Sequence, residues 1–457
     1  MPAHSRFVLA PLFGIVSASL LFLPPMAPRA RADEPMPPAG FVAIFNGKDL
    51  SGWWGATTED PRKYLAMTPE QFKEKHDASL DDIRKHWRVE DGIIINDGGG
   101  LYLTTDKNYR DFELLADYMM FPLGDSGIYL KGCPQVQIWD HTNPKEFKNG
   151  AQKGSGGLWN NSPGAPGKDP LVLADKPFGE WNHVRIIQLG SRTTVWLNDK
   201  LVVDNAILEN YFDKARKLPI PPAGPLQLQT HGDPSRAHGG ETRWRNLYIR
   251  EIGSEEANKM LRGKDPEGFH SVFNGKDLEG WAGPVDDYEV RDGAIVCKPH
   301  RGGTLYTKEE FADFVARLEI KLPKGGNNGL AIRYPGHGDT AYLGMCEIQV
   351  LDDNYETNTG EKIDPRQAHG SAYGMVAAAR GYQRPLGEWN YEEVTIKGPT
   401  IKVEMNGTVI LDTDLSKVHD YMGGHEHPGK DRTSGSFGFA GHNDPVMFRD
   451  ISIMPVK

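Results

Sequence analysis

The sequence predicts an all-β protein made of two antiparallel β-sandwiches in tandem, and three observations support this prediction. A phrase is repeated: Phe-Asn-Gly-Lys-Asp-Leu-x-Gly-Trp runs from Phe45 to Trp53 and again from Phe273 to Trp281. Short extended runs dominate both copies. Asp-Gly, Asn-Asp and Asn-Gly pairs separate these runs, and such pairs suit tight hairpin turns that need positive φ. The chain therefore reads as a duplicated domain.

The first 32 residues have the pattern of a secretory signal peptide. His4 and Arg6 form a weakly basic start, an apolar stretch follows over 7–23, and residues 30–32 supply an Ala-Arg-Ala cleavage site. Because Pro11 interrupts the apolar stretch, which is short for a membrane span, we expect cleavage rather than a retained signal anchor. The expected location is periplasmic or extracellular, with no stable membrane insertion.

Charge and cysteine content narrow the function classes. Loss of the leader removes Arg6, Arg29 and Arg31, so the formal net charge of −10 falls to −13 (−10 minus 3). An acidic exported protein is a poor candidate for binding nucleic acid or an anionic membrane. With only 3 cysteines, the fold must rest on its hydrophobic cores instead of a disulfide framework.

The duplication sets the domain boundaries. Copy one is predicted over 40–252, a linker with one short helix over 253–267, and copy two over 268–457. Copy one also carries an insertion over 58–86. Thr68 precedes a proline there, as at a helix start, so we expect a surface helix.

Strand alternation places a polar group on the outer face of copy two. Arg333 ends one strand, Glu347 and Gln349 lie on the next, and His442 ends a third, among Gly and Ala positions. Small residues leave room and the polar groups can bond hydroxyls, which suits a sugar. The alternative is an ordinary solvent-facing sheet.

Copy one repeats this arrangement with different charges. The matched positions are Lys131 for Arg333, Gln135 for Glu347, Gln137 for Gln349 and His231 for His442. Tyr129 is expected on the same face. The repetition favours a binding site over a chance polar surface.

Further candidates follow the central strand of each copy. Asp140 and Asp352 come directly after these strands, and we expect them at the rim of the cleft. Gly-rich loops then present Trp159 in copy one, and His369 and Tyr373 in copy two, to the substrate. Plain packing is the alternative for the two aromatic residues.

The densest candidate for a metal site is His425-Glu426-His427, in a Gly/Pro-rich loop with no counterpart in copy one. We expect this loop to be solvated and assign no metal ligands. A divalent cation remains open.

These motifs together resemble the 3-keto-disaccharide hydrolase domain family. The carriers are the repeated opening phrase, Gln-Val-Gln-Ile-Trp-Asp and Glu-Ile-Gln-Val-Leu-Asp on the central strands, Gly-Glu-Trp-Asn in both copies, and Arg-Asn-Leu in the last strand of copy one. The resemblance spans nearly the whole chain after residue 32. Copy two departs from it at 449–451, where Arg-Asp-Ile replaces Arg-Asn-Leu. Membership implies a concanavalin A-like lectin/glucanase jelly roll that acts on or binds oxidised glycosides.

An ordinary retaining glycosidase needs two carboxyl groups about 5–5.5 Å apart, and neither central strand offers such a pair. A 3-keto sugar needs less, because the ketone acidifies the C2 proton and allows elimination followed by hydration. The expected roles are His442 as base, Glu347 or Asp352 as acid, and Arg333 at the enolate oxygen. His231, Asp140 and Lys131 are the counterparts in copy one.

The competing hypothesis is a secreted glycan-binding protein without turnover, since the same fold supports lectins. The loss of the carboxylate in copy one favours binding for that half.

Overall fold

The computed structural model describes Met1, His4 and residues 36–231, 240–263 and 268–456. The predicted leader, residues 1–32, lies outside the described residues apart from Met1 and His4. From Pro37 onward the chain forms one compact unit. Within the described part, no helix is both long and apolar enough to cross a membrane.

The first sandwich packs a large sheet, in the order β11-β10-β9-β6-β13-β4-β3 with β1 beside β13, against a small sheet in the order β2-β5-β12-β7-β8. The pairings are antiparallel. The strands are β1 (Val42–Ala43), β2 (Trp53–Ala56), β3 (Trp87–Glu90), β4 (Ile93–Asn96), β5 (Tyr102–Thr105), β6 (Phe112–Met120), β7 (Asp125–Leu130), β8 (Cys133–Trp139), β9 (Trp181–Leu189), β10 (Arg192–Leu197), β11 (Lys200–Ile207), β12 (Gln227–Thr230) and β13 (Thr242–Glu251).

The second sandwich repeats this topology. Its large sheet runs β16-β17-β26-β19-β22-β23-β24 with β14 beside β26, and its small sheet runs β15-β18-β25-β20-β21. The strands are β14 (His270–Ser271), β15 (Trp281–Ala282), β16 (Tyr288–Arg291), β17 (Ala294–Cys297), β18 (Gly302–Phe311), β19 (Phe314–Lys321), β20 (Asn327–Tyr334), β21 (Cys346–Leu351), β22 (Asn390–Lys397), β23 (Thr400–Met405), β24 (Thr408–Asp414), β25 (Gly435–His442) and β26 (Met447–Pro455).

The described residues form few helices, and these lie between strands. They are α1 (Arg62–Leu65), α2 (Pro69–His86), α3 (Ser254–Arg262), α4 (Thr340–Leu343) and α5 (Tyr355–Thr359), with 3-10 turns at Pro144–Asn149, Ala151–Lys153, Val285–Asp287, Pro365–Gln367, Leu415–Lys417 and Met422–Gly424. Thr68 caps α2 as expected, since its side chain accepts from the Gln71 N–H and Gln71 reciprocates. The insertion in copy one thus holds α1 and α2.

The predicted all-β fold class is confirmed: in the described part of the chain, four antiparallel sheets form two β-sandwiches in tandem. Each sandwich encloses its own apolar core between its two sheets. The three cysteines are buried and free.

The repeated opening phrase forms the same turn in both sandwiches. The Asn46 side chain accepts from the N–H groups of Lys48 and Asp49, and Asn274 does the same for Lys276 and Asp277. The tryptophan that ends each phrase is buried and donates its indole N–H to a backbone carbonyl nine residues earlier. The phrase is therefore a structural element.

Two hairpin turns join the sandwiches at close range. The Ser191 N–H donates to the Gly407 carbonyl at 3.0 Å. A Cβ at Gly190 would overlap the Asn406 carbonyl oxygen, so the turns approach this closely only because glycine lies between them. Arg192 forms a bidentate pair with Glu404, both bonds at 2.6 Å.

A buried ion pair adds a second link. The Arg384 guanidinium of the second sandwich lies 3.3 Å from the Asp111 carboxylate of the first, and their side chains are 2% and 4% exposed. Arg384 also donates to the Trp389 carbonyl at 2.9 Å and to Asn258 of α3. The linker helix and both sandwiches therefore meet at one charged group.

Removal of Arg384 should destabilise the whole unit, because it leaves the Asp111 carboxylate buried without its cation. We expect Arg384→Ala to lower the free energy of unfolding by about 3–5 kcal/mol, as measured by urea titration. The exposed pair of Arg88 and Glu90 is the control, and Arg88→Ala should cost at most about 1 kcal/mol. Equal effects of the two substitutions would contradict this account of the interface.

Candidate functional site

The small sheet of the second sandwich has an apolar inner face and an outer face of small and polar residues. Its inward side chains belong to the core, as strand alternation predicted: Leu330, Ile332, Ile348, Val350, Phe437 and Phe439. The outer positions are Gly329, Ala331, Glu347, Gln349, Gly438, Ala440 and His442. We call this outer face the copy-two cleft.

Glu347 lies across the neighbouring strand, over Gly329. A Cβ at Gly329 would overlap the Cγ, Cδ and Oε1 atoms of Glu347, so only glycine admits this side-chain position. The side chain of Glu347 is 5% exposed. Its carboxyl group is therefore held against the sheet instead of extending into water.

The carboxyl of Glu347 meets His442. Glu347 Oε1 lies 4.0 Å from His442 Nε2, and the imidazole is half exposed. Burial raises the pKa of Glu347 to about 8, with a further contribution from Asp339. Desolvation on the sheet side lowers the pKa of His442, against the opposing charges of Asp339 and Asp444. At neutral pH the pair therefore consists of a protonated acid beside a neutral imidazole.

The segment 335–345, which includes α4, forms one wall of the copy-two cleft. Asp339 caps α4 by accepting from the Ala341 N–H at 2.9 Å. The next residue, Thr340, is hydrogen-bonded to Thr304 of β18 through their hydroxyls, 2.6 Å apart. Since β18 lies three strands away from β21, this contact shows that the segment folds back over the sheet.

Gln349 and Tyr373 lie where the sequence placed them. Gln349 Nε2 donates to the Asn327 side chain at 2.7 Å and to the Asn328 carbonyl at 3.1 Å. The Tyr373 N–H donates to the Glu347 carbonyl, which sets Tyr373 directly beside Glu347 at the sheet edge. The structure thus brings Glu347, Gln349, Tyr373 and His442 together.

Arg333 and Lys131 do not line a cleft, and this part of the sequence prediction is wrong. Both have positive φ, 47° and 55°. Arg333 lies at an irregularity in the pairing of β20 with β25, and Lys131 is the first residue of the turn between β7 and β8. In both places the side chain is directed toward the large sheet. Arg333 binds Asp313 at 2.7 Å and the carbonyls of Ala312, Gly398 and Arg432. Lys131 donates to the Gly190 carbonyl at 2.7 Å. Each is a buried cation that ties two sheets together.

Asp352 and Asp140 are also structural, contrary to the expectation that they reach the cleft rim. Asp352 is buried and accepts from Gly325, Asn354 and Asn358. Asp140 is buried and accepts from Leu123 and Thr142. The oxygens of both are engaged in holding the loop that follows their strand.

His369 likewise faces away from the cleft. Its Nδ1 accepts from the Leu351 N–H at 3.2 Å, so its Nε2 carries the proton and donates to Glu392 of β22 at 2.9 Å. Both side chains are at most 1% exposed. His369 therefore links the edge of the small sheet to the large sheet.

The corresponding face of the first sandwich is filled by its own side chains. Tyr129, Gln227 and Gln229 occupy the positions of Ala331, Gly438 and Ala440, and all three are buried. Tyr129 packs edge-on against Tyr102, with the ring centroids 5.4 Å apart.

The insertion covers the edge of this face. Trp54 of β2 is buried beneath Tyr64 and Phe72, whose rings lie 5.4 and 5.3 Å from it. These residues form an apolar cluster of their own outside the main core. The insertion is therefore part of the covering of the first sandwich as well as a surface helix.

A chain of hydrogen bonds replaces the acid and base pair in the first sandwich. His231 Nδ1 lies 2.9 Å from Asp125, which accepts from Gln137 at 2.8 Å, and Gln137 accepts from Gln135 at 2.5 Å. Gln135 lies over Gly127 as Glu347 lies over Gly329. The first sandwich therefore keeps the same side-chain position over a glycine but has an amide group in place of the carboxyl group.

Trp159 packs against neighbouring side chains, which is the alternative to being presented to a substrate. Its indole N–H donates to the Asn149 carbonyl at 2.8 Å, Trp139 contacts one side of the ring, and the Lys168 ammonium lies 5.3 Å from its centre.

The side chains of the sequence His425-Glu426-His427 do not come together in the structure. His425 and Glu426 are exposed, whereas His427 is buried and bonds to the Ala341 carbonyl of α4 at 2.8 Å. Among the residues that the structure describes, no group of three or more His, Cys, Asp or Glu side chains could hold a metal ion.

Sequence reasoning missed Asp339 and Tyr342, which both belong to the segment 335–345. A signal was available: Gly329 and Glu347 are 18 residues apart, whereas Gly127 and Gln135 are 8 apart. The ten extra residues in copy two mark the wall of the cleft.

The copy-two cleft therefore pairs a buried carboxyl group with a half-exposed imidazole, the kind of pair that acid–base catalysts use. The chain belongs to the 3-keto-alpha-glucoside-1,2-lyase-like domain family, whose model matches residues 40–250 and 268–454.

Individual relatives align with less than half of this chain. A 3-keto-disaccharide hydrolase of Bacteroides thetaiotaomicron is 24% identical over 253 residues, which is 45% of this chain and 84% of the relative. Two solved structures of candidate glycosyl hydrolases from Parabacteroides distasonis are 27% and 26% identical, each with a TM-score of 0.37. They align with 42% and 41% of this chain and 95% and 99% of their own.

The raised pKa of Glu347 predicts a pH-dependent stability. The folded protein holds this proton up to about pH 8, whereas the ordinary value is 4.5, so stability falls as pH rises between these values. In Glu347→Gln this loss disappears. The gain in unfolding free energy over wild type should therefore grow with pH, by up to about 1.4 kcal/mol per pH unit.

Urea unfolding at several pH values from 5 to about 8 measures this difference. Glu90→Gln, at an exposed position, is the control and should run parallel to wild type. A Glu347→Gln curve that is also parallel would mean that this carboxyl is ionised in the folded protein at pH 5.

Proposed function

We propose that the protein cleaves 3-keto-glycosides in the copy-two cleft, by elimination next to the ketone followed by hydration. The observation that carries this proposal is the pairing of Glu347 with His442, 4.0 Å apart, with pKa values shifted in opposite directions. Membership of a 3-keto-glucoside lyase-like family and the name of the Bacteroides relative support the substrate class.

The first step needs a base and an acid. His442, neutral and half exposed, takes the proton from C2, which the adjacent ketone acidifies. The electron pair forms a C1–C2 double bond as the C1–oxygen bond breaks. Glu347, protonated at neutral pH, gives its proton to the departing oxygen.

The second step reverses these proton transfers. Water adds to C1 of the unsaturated ketone, and its proton passes to the Glu347 carboxylate. The imidazolium of His442 returns a proton to C2. The sum is hydrolysis, and both side chains regain their starting protonation states. Arg333 has no part in this scheme, because its donors are engaged at the far side of the sheet.

Glu347 is the single carboxylate side chain on the outer face of β21, because the next outward position of that strand is Gln349. This composition favours elimination over the two-carboxylate chemistry of ordinary glycosidases, and the Asp339 carboxylate of the wall segment is engaged as the cap of α4. The first sandwich, with Gln135 in place of the acid and a filled face, is assigned a structural role.

Export completes the proposal. An exported enzyme would meet oxidised glycosides outside the cytoplasm, and the leader-like residues 1–32 are the support for this location.

Incubation with a 3-keto-disaccharide and with its unoxidised parent tests the proposed activity. We expect turnover of the keto sugar alone. Turnover of the parent would indicate an ordinary glycosidase, and binding without products would indicate a lectin. His442→Ala should lower kcat/KM for the keto sugar by about 10²–10⁴-fold, the usual contribution of a general base.

His231→Ala is the matched control, because His231 occupies the same position in the first sandwich. It should leave kcat/KM unchanged within about twofold, a range far below the contribution of a general base. Loss of activity in His231→Ala but not in His442→Ala would place the chemistry in the other sandwich.

A further inference from the structure

We propose that Tyr342 and Tyr373 form a site for the leaving group, one that selects a ring with a flat apolar face over a small alcohol. This inference rests on the proposed function, because Glu347 identifies the leaving oxygen only if it acts as the acid. The ring is a second sugar or a phenol. The two share a flat face that can lie on tyrosine.

The order of strands gives the cleft a direction. In the small sheet, His442 is on β25, Glu347 is on the edge strand β21, and β20 lies between them. A sugar whose C2 faces His442 has its C1 near Glu347, because the Glu347 carboxyl lies over β20, between His442 and the edge of the sheet. Its C1 substituent then extends past Glu347 to the sheet edge.

Tyr373 stands at that edge. Its N–H donates to the Glu347 carbonyl at 2.9 Å. Ala372 pairs with Ile348 and both belong to the core, so the next residue, Tyr373, faces outward beside Glu347, on the side opposite to His442. Its hydroxyl accepts from Gln367 Nε2 at 3.2 Å. The ring is half-buried, so its position is fixed while part of it stays open.

Tyr342 approaches the same edge of the small sheet from the wall segment. It is on α4, in the wall segment 335–345, and is half-buried. Its ring packs on His427, and His427 Nε2 lies against Gly374, the neighbour of Tyr373, so Tyr342 lies close to Tyr373. Burial raises the pKa of Tyr342, with further contributions from Tyr373, Asp339 and Glu347. Tyr342 and Tyr373 thus flank the carboxyl on the side where the leaving group departs.

The ring of Tyr342 is preorganised by the loop 427–429. His427 packs on it with ring centroids 4.8 Å apart and bonds to the Ala341 carbonyl. The Gly429 N–H donates to the Tyr342 carbonyl at 2.8 Å, and a Cβ at Gly429 would overlap the backbone of α4. One loop therefore binds two of the C-terminal carbonyls of α4. This fixes Tyr342 in advance and reduces the conformational entropy that its side chain loses when a ligand binds.

Among the described residues of the first sandwich, no pair of aromatic side chains matches Tyr342 and Tyr373. Trp159 matches Tyr373 in register, but Trp139 and Lys168 cover its ring and its N–H is used. β7 and β8 are joined by only Lys131 and Gly132, so Tyr342 has no counterpart there.

Kinetics with three substrates that share the 3-keto-glucosyl group test this site: the methyl glycoside, the phenyl glycoside and the disaccharide. Tyr342→Ala and Tyr373→Ala should each raise KM about 3- to 10-fold for the phenyl glycoside and the disaccharide, in line with the worth of one aromatic contact. The KM for the methyl glycoside should stay unchanged. Tyr342→Phe should keep wild-type values, and Trp159→Ala is the control in the first sandwich.

A rise in KM of the same factor for all three substrates would show a structural role and overturn the proposal, as would no change for any of them. A change for the phenyl glycoside alone would restrict the site to phenols, and a change for the disaccharide alone would restrict it to sugars.

Binding distinguishes failure of this site from failure of the proposed function. If none of the three substrates is turned over, calorimetry with the phenyl and methyl glycosides is the readout. Tighter binding of the phenyl glycoside that disappears in Tyr342→Ala supports the site, and equal binding of the two glycosides overturns it.

Discussion

The position of the Glu347 side chain across Gly329 is the constraint on which the candidate site depends. Without a Cβ at residue 329, the carboxyl can lie flat against the sheet, out of water and within 4.0 Å of His442. Burial favours the neutral form of the acid, and partial desolvation of His442 favours the neutral imidazole. The absence of a side chain at residue 329 therefore determines where the Glu347 carboxyl lies and allows the burial that raises its pKa.

The duplication shows the same frame used in two ways. Gln135 lies over Gly127 as Glu347 does over Gly329, and buried Lys131 and Arg333 join the sheets at matching positions. The first sandwich then fills its outer face with Tyr129 and is covered at one edge by its insertion. The second keeps small residues on that face and gains the wall segment 335–345. Each copy departs from the common frame by one insertion, with opposite consequences for the cleft.

Strand alternation was enough to predict the fold and the outward placement of Glu347, Gln349 and His442, because these residues lie within regular strands. It failed for Arg333 and Lys131, since positive φ at the strand end reverses the side chain, and sequence carries no sign of that for a long basic residue. It failed for His369 because a buried imidazole bonded to Glu392 needs a partner that lies 23 residues away.

The functional importance of the wall segment 335–345 was not predicted from the sequence, and the reason is different. Alignment of the two copies highlights what they share, whereas Asp339 and Tyr342 belong to ten residues that only the second copy has. The features unique to one copy were therefore the most informative about function, and they are visible in the sequence only as a difference in spacing.

Paired glycine substitutions test the central claim most directly. Gly329→Ala and Gly127→Ala make the same change at equivalent positions, and each new Cβ overlaps the side chain that lies over it. Assays of 3-keto-disaccharide cleavage on folded protein should show kcat/KM lowered by about 10²-fold in Gly329→Ala, the cost of misplacing a catalytic group by about 1 Å. Gly127→Ala should retain wild-type kcat/KM. Equal activity in both variants, or a loss confined to Gly127→Ala, would contradict the assignment of the active site to the second sandwich.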